Sequence, residues 1–284
     1  MIPAIEYLRP KKIVEALSLL AENQGDTCII AGGTDIIPGF QQGGGRLKKI
    51  KKLIDINQIA ELKTVEKDGQ NIIIGAGVTF SELMKSAMIQ DNLPLLTKAA
   101  STVGSVQIRN RATIGGNFIN NAPCADSVPP LLVYDAKIRI RSQKGERELL
   151  LQQILSKPYQ TQLKPDELVT KIVLPIPSRK YKGDFYKLGR RRGVAISRIT
   201  LAVLMKNENL TIQDMRIASG AVTPIGTRFP ELEDYARGEH IDDELIKALA
   251  QKLGQVILEK TGLRWSSAYK LPVVQQMFYQ LLSD

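Results

Sequence analysis

Residues 29–36 read Ile29-Ile-Ala-Gly-Gly-Thr-Asp-Ile36. An apolar strand that stops on two adjacent glycines lets the backbone approach a ligand closely. It turns consecutive N–H groups into one concavity, and Thr34 adds a hydroxyl donor. That shape suits a diphosphate, and it is also the shape of a plain tight turn. It is neither a Walker A loop nor G-x-G-x-x-G, because the glycines are adjacent and no lysine follows. The same grammar recurs in Thr113-Ile-Gly-Gly-Asn117, and Asp126 stands nine residues further on as an acceptor for ribityl or ribose hydroxyls. Two such loops point to a large polyol-diphosphate ligand.

Outward from the first loop the chain reads as alternating elements. The spacing of Ile13, Ala16, Leu17 and Leu20 predicts a helix over Pro10–Asn23, followed by a strand over Asp26–Ala31. A second helix after the loop is short or broken, given Pro38, Gly39 and the Gly43–Gly45 run. Strands are expected at Lys52–Ile56 and Asn71–Gly75, and helices at Thr79–Met88 and Pro94–Ala100. Residues 112–127 are dominated by small and turn-forming types. Asp126 or Ser127 is placed to cap a helix through Pro129–Tyr134. Further strands are expected at Lys137–Arg141 and Val169–Leu174, with a turn at Gln143–Glu146 between them. The texture changes after Pro175 and Pro177. Asp184–Leu188, Ala195–Val203 and Met215–Ala218 read as sheet, and Asp242–Lys260 and Leu271–Leu282 as helices. The division is therefore 1–176 and 177–284.

Composition removes several chemistries. Among 284 residues, two cysteines, Cys28 and Cys124, cannot hold an iron–sulfur cluster or a four-thiolate zinc site. One histidine, His240, cannot build a tris-imidazole zinc site, and its polar surroundings read as surface. Cys28 reads as core and Cys124 as structural. No nucleophile–base pair stands out, so neither a catalytic residue nor a metal ligand is assigned. No run of about 18 apolar residues predicts a membrane span, and the absence of a signal-like start points to the cytoplasm. The net charge of +10 is shared evenly, +5 on each side of Pro177. Basic clusters at 46–52, at Arg109 and Arg111, and at Lys187 with Arg190–Arg192 lack interleaved stacking aromatics. They read as solvated or docking surfaces, not as a nucleic-acid module.

The chain resembles the FAD-binding (medium) subunit of the molybdenum hydroxylases, the xanthine dehydrogenase and carbon monoxide dehydrogenase family. The resemblance rests on Ala31-Gly-Gly-Thr-Asp-Ile36, Ile74-Gly-Ala-Gly-Val-Thr79, Arg109-Asn-Arg-Ala-Thr-Ile-Gly-Gly-Asn117 and Ala122-Pro-Cys-Ala-Asp126. It extends weakly to Phe185-Tyr-Lys-Leu-Gly-Arg-Arg191. It implies an α+β fold: a two-lobed FAD-binding domain, with lobes of about 1–55 and 56–176 and FAD in the inter-lobe cleft, plus a small C-terminal α+β domain with an antiparallel sheet and helices. By that resemblance Ile29, Ile30, Ala31, Gly32, Gly33, Thr34, Asp35 and Ile36 wrap the FAD diphosphate. Thr113, Ile114, Gly115, Gly116 and Asn117 form the second FAD loop, with Asp126 as its hydroxyl partner. Ala76 and Thr79 lie beside the flavin, Val103 near the adenine, and Val169 and Lys187 match further contact positions.

The resemblance also implies partners: a molybdenum-cofactor large subunit and a 2Fe–2S small subunit. Electrons then leave the flavin for NAD or another acceptor. The 41–52 segment has no cysteine, so the extra cluster of some relatives is not expected. The scarcity of cysteine and histidine fits a chain in which the flavin, not a metal, supplies the reactivity. The alternatives are a stand-alone FAD oxidase or reductase, a nucleic-acid binder, and an assembly subunit that has lost its flavin.

Overall fold

The computed structural model describes residues 4–22, 25–43, 45–191 and 193–283. Asn23, Gly44 and Arg192, on which parts of the sequence reading fall, lie outside the described residues. The small lobe is built from β1 (Glu6–Leu8), α1 (Ile13–Ala21), β2 (Thr27–Ile30), α2 (Ile36–Gln41) and β3 (Lys52–Asp55). Its three strands run parallel in the order β1-β3-β2. A parallel sheet needs cover on both faces. Ile13, Leu17 and Leu20 of α1 pack with Ile54 and Ile56 on one face, and Phe40 of α2 packs with Ile30, Leu47 and Leu53 on the other.

The larger lobe contains β4 (Val65–Asp68), β5 (Asn71–Gly75), α3 (Phe80–Lys85), α4 (Ala87–Asn92), α5 (Pro94–Thr102), α6 (Val106–Arg109), α7 (Ile114–Asn120), α8 (Val128–Val133), β6 (Lys137–Ser142), β7 (Gly145–Leu150), α9 (Leu151–Ile154), β8 (Leu155–Lys157), β9 (Gln160–Thr161) and β10 (Leu168–Pro175). Its main sheet has the order β4-β5-β10-β6-β7, with every pairing antiparallel. The last strand in sequence, β10, is thus central. That position explains why Leu168–Leu174 is buried throughout except at Lys171. Leu168 packs with the small-lobe core while Val169, Ile172 and Leu174 enter the larger one.

Three expectations change here. The helix expected over Thr79–Met88 is two helices, because Ser86 is extended (ψ 109°) and ends α3. The turn-forming stretch 112–127 contains α7. Thr113 Oγ1 accepts from Gly116 N at 3.1 Å to start it, despite two glycines in its first turn. Burial of Ile114 and Phe118 overrides the poor propensity. The last helix begins before Leu271 and runs through Pro272.

The C-terminal region has β11 (Tyr181–Gly189), β12 (Ser197–Glu208), β13 (Thr211–Gly220), β14 (Thr227–Arg228), α10 (Pro230–Ala236), α11 (Asp243–Thr261) and α12 (Ser267–Ser283). The strands form one antiparallel meander. Alternation along β12 sorts its side chains. Ile199, Leu201 and Val203 face α10–α12, and Ala202 and Leu204 join the larger-lobe core with Phe185 and Ala218. Among the described residues no helix is long and apolar enough to cross a membrane.

Candidate functional site

A cleft of about 380 Å³ lies between the small and larger lobes. Its floor is the meeting of the two glycine loops. A Cβ on Gly32 would stand 2.0 Å from the Arg111 carbonyl oxygen and 2.9 Å from Ala112 Cα, and a Cβ on Gly115 would stand 2.6 Å from the Ala76 carbonyl oxygen. Only glycine permits these backbone approaches. Gly33 has φ +74°, the left-handed region that glycine enters at little cost. The N–H groups of Gly32, Gly33, Thr34 and Asp35 form no hydrogen bond with the described residues. They are the donors an anion would need.

The second loop differs. Ile114 N donates to Val78 O, Gly115 N to Ala76 O, Gly116 N to Thr113 Oγ1 and Asn117 N to Thr113 O, at 2.9–3.1 Å. Its donors are spent inside the protein, so its glycines serve close approach, not anion capture.

Thirteen of the sequence-assigned residues line the cleft: Ile29, Ala31, Gly32, Gly33, Thr34, Asp35, Ile36, Ala76, Thr113, Gly115, Gly116, Asn117 and Val169. Six do not. Ile30, Ile114 and Val103 point into the packed core. Thr79 caps α3, exchanging hydrogen bonds with Glu82. Asp126 and Lys187 pair with each other at 2.6 Å, both nearly buried. Ser197 Oγ also donates to Asp126, and Lys187 Nζ donates to Thr102 O. Burial pushes the Asp126 carboxyl pKa up, against the opposing pull of Lys187 and Ser197. The pair ties β11 to the segment behind Asn117, whose Oδ1 accepts from Ser127 Oγ at 2.7 Å.

Several site groups escape the sequence reading. Asp55 accepts from Asn57 N and from Tyr7 OH, and Asn57 Nδ2 donates to the Ala31 carbonyl. This network fixes the first loop from behind, and the Asp-x-Asn spacing after β3 was its signal. The Arg46 guanidinium lies 5.0 Å from the ring of Tyr159, so one end of the cleft is bridged from both lobes. Tyr159 is held by Asn121, which accepts from Tyr159 N and donates to Lys157 O and Gln160 O. Glu167 makes a bidentate pair with Arg147 and accepts from Lys164 N. Burial works upward on its carboxyl, but these bonds outweigh it and hold the pKa below the usual glutamate value. Cys28, read from sequence as core, is only part-buried and lines the cleft, and burial pushes its thiol pKa up. His240 is exposed, as expected. No group of three metal-ligating side chains occurs among the described residues.

A bilobal fold whose glycine loops meet at an anion-ready cleft defines a class of nucleotide-binding protein, and comparison with known proteins gives the family. Residues 3–177 match the model described as "FAD binding domain in molybdopterin dehydrogenase", and residues 184–284 match "CO dehydrogenase flavoprotein C-terminal domain". The chain belongs to this family of FAD-binding oxidoreductase subunits. It is 31% identical to the xanthine dehydrogenase FAD-binding subunit of Escherichia coli O157:H7, over 98% of this chain and 94% of that protein. It is also 31% identical to the glyceraldehyde dehydrogenase medium chain of Sulfolobus acidocaldarius, over 96% and 95%. Among solved structures, carbon monoxide dehydrogenase from Hydrogenophaga pseudoflava superposes with a TM-score of 0.93 at 27% identity, covering 100% of this chain and 97% of that one. The family expected from the glycine-loop motifs is therefore the family found, and FAD is its cofactor.

Proposed function

We propose that this chain holds FAD in the inter-lobe cleft and passes electrons from the 2Fe–2S clusters of a partner to NAD or another acceptor, within a complex whose large subunit carries the molybdenum cofactor. The observation that carries the assignment of the cleft is the run of unpartnered N–H groups at Gly32–Asp35, where backbone can meet a diphosphate without a lysine. The residues fit the group. Glycines leave room at the contact, apolar Ile29, Ile36 and Val169 line the walls, and Asn117 and Asn120 offer amides for hydroxyls.

The bound flavin supplies the hydride and one-electron chemistry. The protein's part is positional. Gly32–Asp35 donate to the diphosphate, the Asp55–Asn57 network keeps that loop in place, and the packed second loop gives a rigid wall. No residue need transfer a proton. The reading places residues 1–176 as the flavin-binding part and 177–284 as a buttress, acting in the cytoplasm. Names among the relatives support a multi-subunit setting: "medium chain" in carbon monoxide dehydrogenase and "FAD-binding subunit" in xanthine dehydrogenase.

The test is reconstitution. The apo-chain should turn yellow with FAD, and Gly33→Glu or Gly116→Glu should abolish the flavin band; unchanged binding in both variants removes the loop assignment. With partner subunits added, substrate oxidation should bleach the flavin, and NAD should restore it. A stand-alone oxidase with covalent flavin predicts colour that survives denaturation. Cys28 does line the cleft, but its raised thiol pKa makes it a poor nucleophile, and flavin should be released on unfolding.

A further inference from the structure

The most exposed large apolar side chains among the described residues are Trp265, 92% exposed, and Leu263, 86% exposed. They flank Arg264 in the turn between α11 and α12. Beside this turn the Arg198 guanidinium lies 5.5 Å from the Tyr269 ring. The next residue, Lys270, reaches across to the Ala221 carbonyl. Burial and then the charges of Arg198 and Arg264 lower the Lys270 pKa, which sets the three cations in one electrostatic neighbourhood. None of the three has a carboxylate partner among the described residues. Elsewhere in the same region Arg216, Arg228, Lys247 and Lys260 are each paired. Single exposed hydrophobics are ordinary. A fully exposed tryptophan beside unpaired arginine is the composition of a binding hot spot.

We propose that Trp265 and Leu263 are the anchors of a protein docking surface, and that its occupant is another subunit of the oxidoreductase complex, presenting an apolar recess rimmed by carboxylates. This rests on the reading of the chain as one subunit of a hetero-oligomer. Charge selects the occupant. A second copy docked about a two-fold axis would set Arg198, Arg264 and Lys270 against themselves, on a chain already at +10. An acidic rim gives each cation a partner and leaves the indole to fill the recess. A tryptophan buries about 150–250 Å² on docking.

The experiment uses the whole complex, co-expressed with its molybdenum and iron–sulfur subunits and purified through a tag on this chain. Trp265→Ala should weaken assembly about 30-fold or more, so that the complex falls apart on dilution, and Trp265→Phe should retain most of it. Arg198→Glu with Arg264→Glu should also prevent assembly, and added salt should weaken the wild-type complex. FAD content and thermal unfolding of the isolated Trp265 variants should match wild type, because the indole is 92% exposed. Variants that assemble as wild type does overturn the proposal. So does a Trp265-dependent dimer of the isolated chain, Trp265-dependent flotation with phosphatidylserine vesicles, or Trp265-dependent binding to duplex DNA. A wild-type chain that assembles with neither subunit overturns the functional reading itself, and this occupant with it.

Discussion

Gly32→Ala adds one methyl group at the point where the two lobes touch. The new Cβ would stand 2.0 Å from the Arg111 carbonyl oxygen, 2.6 Å from its carbon and 2.9 Å from Ala112 Cα, and all three are backbone atoms that no side-chain rotation can remove. Real contacts of this kind do not fall below 3.0 Å, so the loops must part by about 1 Å. The same displacement carries Gly33, Thr34 and Asp35 away from the anion they face, stretching a hydrogen bond of ~2.9 Å to ~3.9 Å, which is no longer a bond. Losing one bond to a charged group costs about 1.5–3 kcal/mol, which raises the FAD dissociation constant about 10- to 140-fold. Overpacking itself costs the folded chain about 1–3 kcal/mol. Titration of the apo-protein with FAD, followed by flavin fluorescence, measures the first effect, and thermal unfolding of the apo-protein measures the second. Gly45→Ala is the control, since its Cβ meets nothing within 4 Å and its φ is not positive. Gly33→Ala should fall between the two, because its φ of +74° is strained for alanine by about 1–2 kcal/mol while its nearest neighbours are flexible isoleucine side chains. A Gly32→Ala protein that binds FAD within twofold of wild type would refute the contact as the determinant of the cleft.

Three further outcomes follow from the polar networks. Because the folded-state pKa of Glu167 is depressed below 4.5, its pairing with Arg147 is fully effective above that pH and is lost as pH falls through the folded value; Glu167→Gln should flatten the acid limb of the melting-temperature profile, and an unchanged acid limb counts against the pair. Asp126→Ala strands the buried Lys187 ammonium and should cost about 3–5 kcal/mol. Lys187→Met should be milder at low pH, because the Asp126 pKa is already raised by burial and the carboxyl is neutralised as pH falls; denaturant titrations at two pH values check both sign and order. Glu233 binds Arg228 and accepts from Ile217 N, and Arg228 in turn pairs with Asp135 of the larger lobe. Glu233→Ala should lower the melting temperature by roughly 6–12 °C for a loss of about 3 kcal/mol, and a shift below 2 °C would show that the network is not holding the C-terminal sheet to the lobe.

Much of the frame was legible because local signals agreed with the final packing. Helix α1 shows its buried face as Ile13, Ala16, Leu17 and Leu20, and α11 is capped by Asp242, which accepts from Leu245 N. What stayed hidden depends on contacts between distant segments. Nothing local says that β10 inserts between β5 and β6, since apolar pairs at both ends of Leu168–Leu174 suit a central antiparallel strand and a parallel one alike. The Arg46–Tyr159 bridge joins residues more than a hundred positions apart, one in a basic cluster that reads as surface and the other beside short strands that no motif marks. The six assigned residues outside the cleft show the converse. Ile30 and Ile114 belong to the loop motifs by position, yet alternation and helical twist turn them into the core.

The two glycine loops share one grammar and divide the work. In the first, the left-handed turn at Gly33 leaves the donors of Gly32 to Asp35 unpartnered, and a run of free N–H groups is tolerable only where water or an anion can reach it. In the second, the same residue types start α7, and Val78, Ala76 and Thr113 accept its leading N–H groups. The difference follows from what precedes each pair. Ala31 follows the edge strand β2, whereas Thr113 caps a helix and bridges to Thr79. A glutamate at Gly116 therefore acts by filling space against Thr113, and at Gly33 by straining the backbone and forcing a carboxylate against the Ile30 and Ile37 side chains behind the donors. The Gly33 variant should lose FAD in a way that lower pH partly restores, as its carboxylate is protonated. The Gly116 variant should lose FAD equally at every pH. Equal pH dependence in the two would mean that the charge placed against Ile30 and Ile37 is not what displaces the first loop.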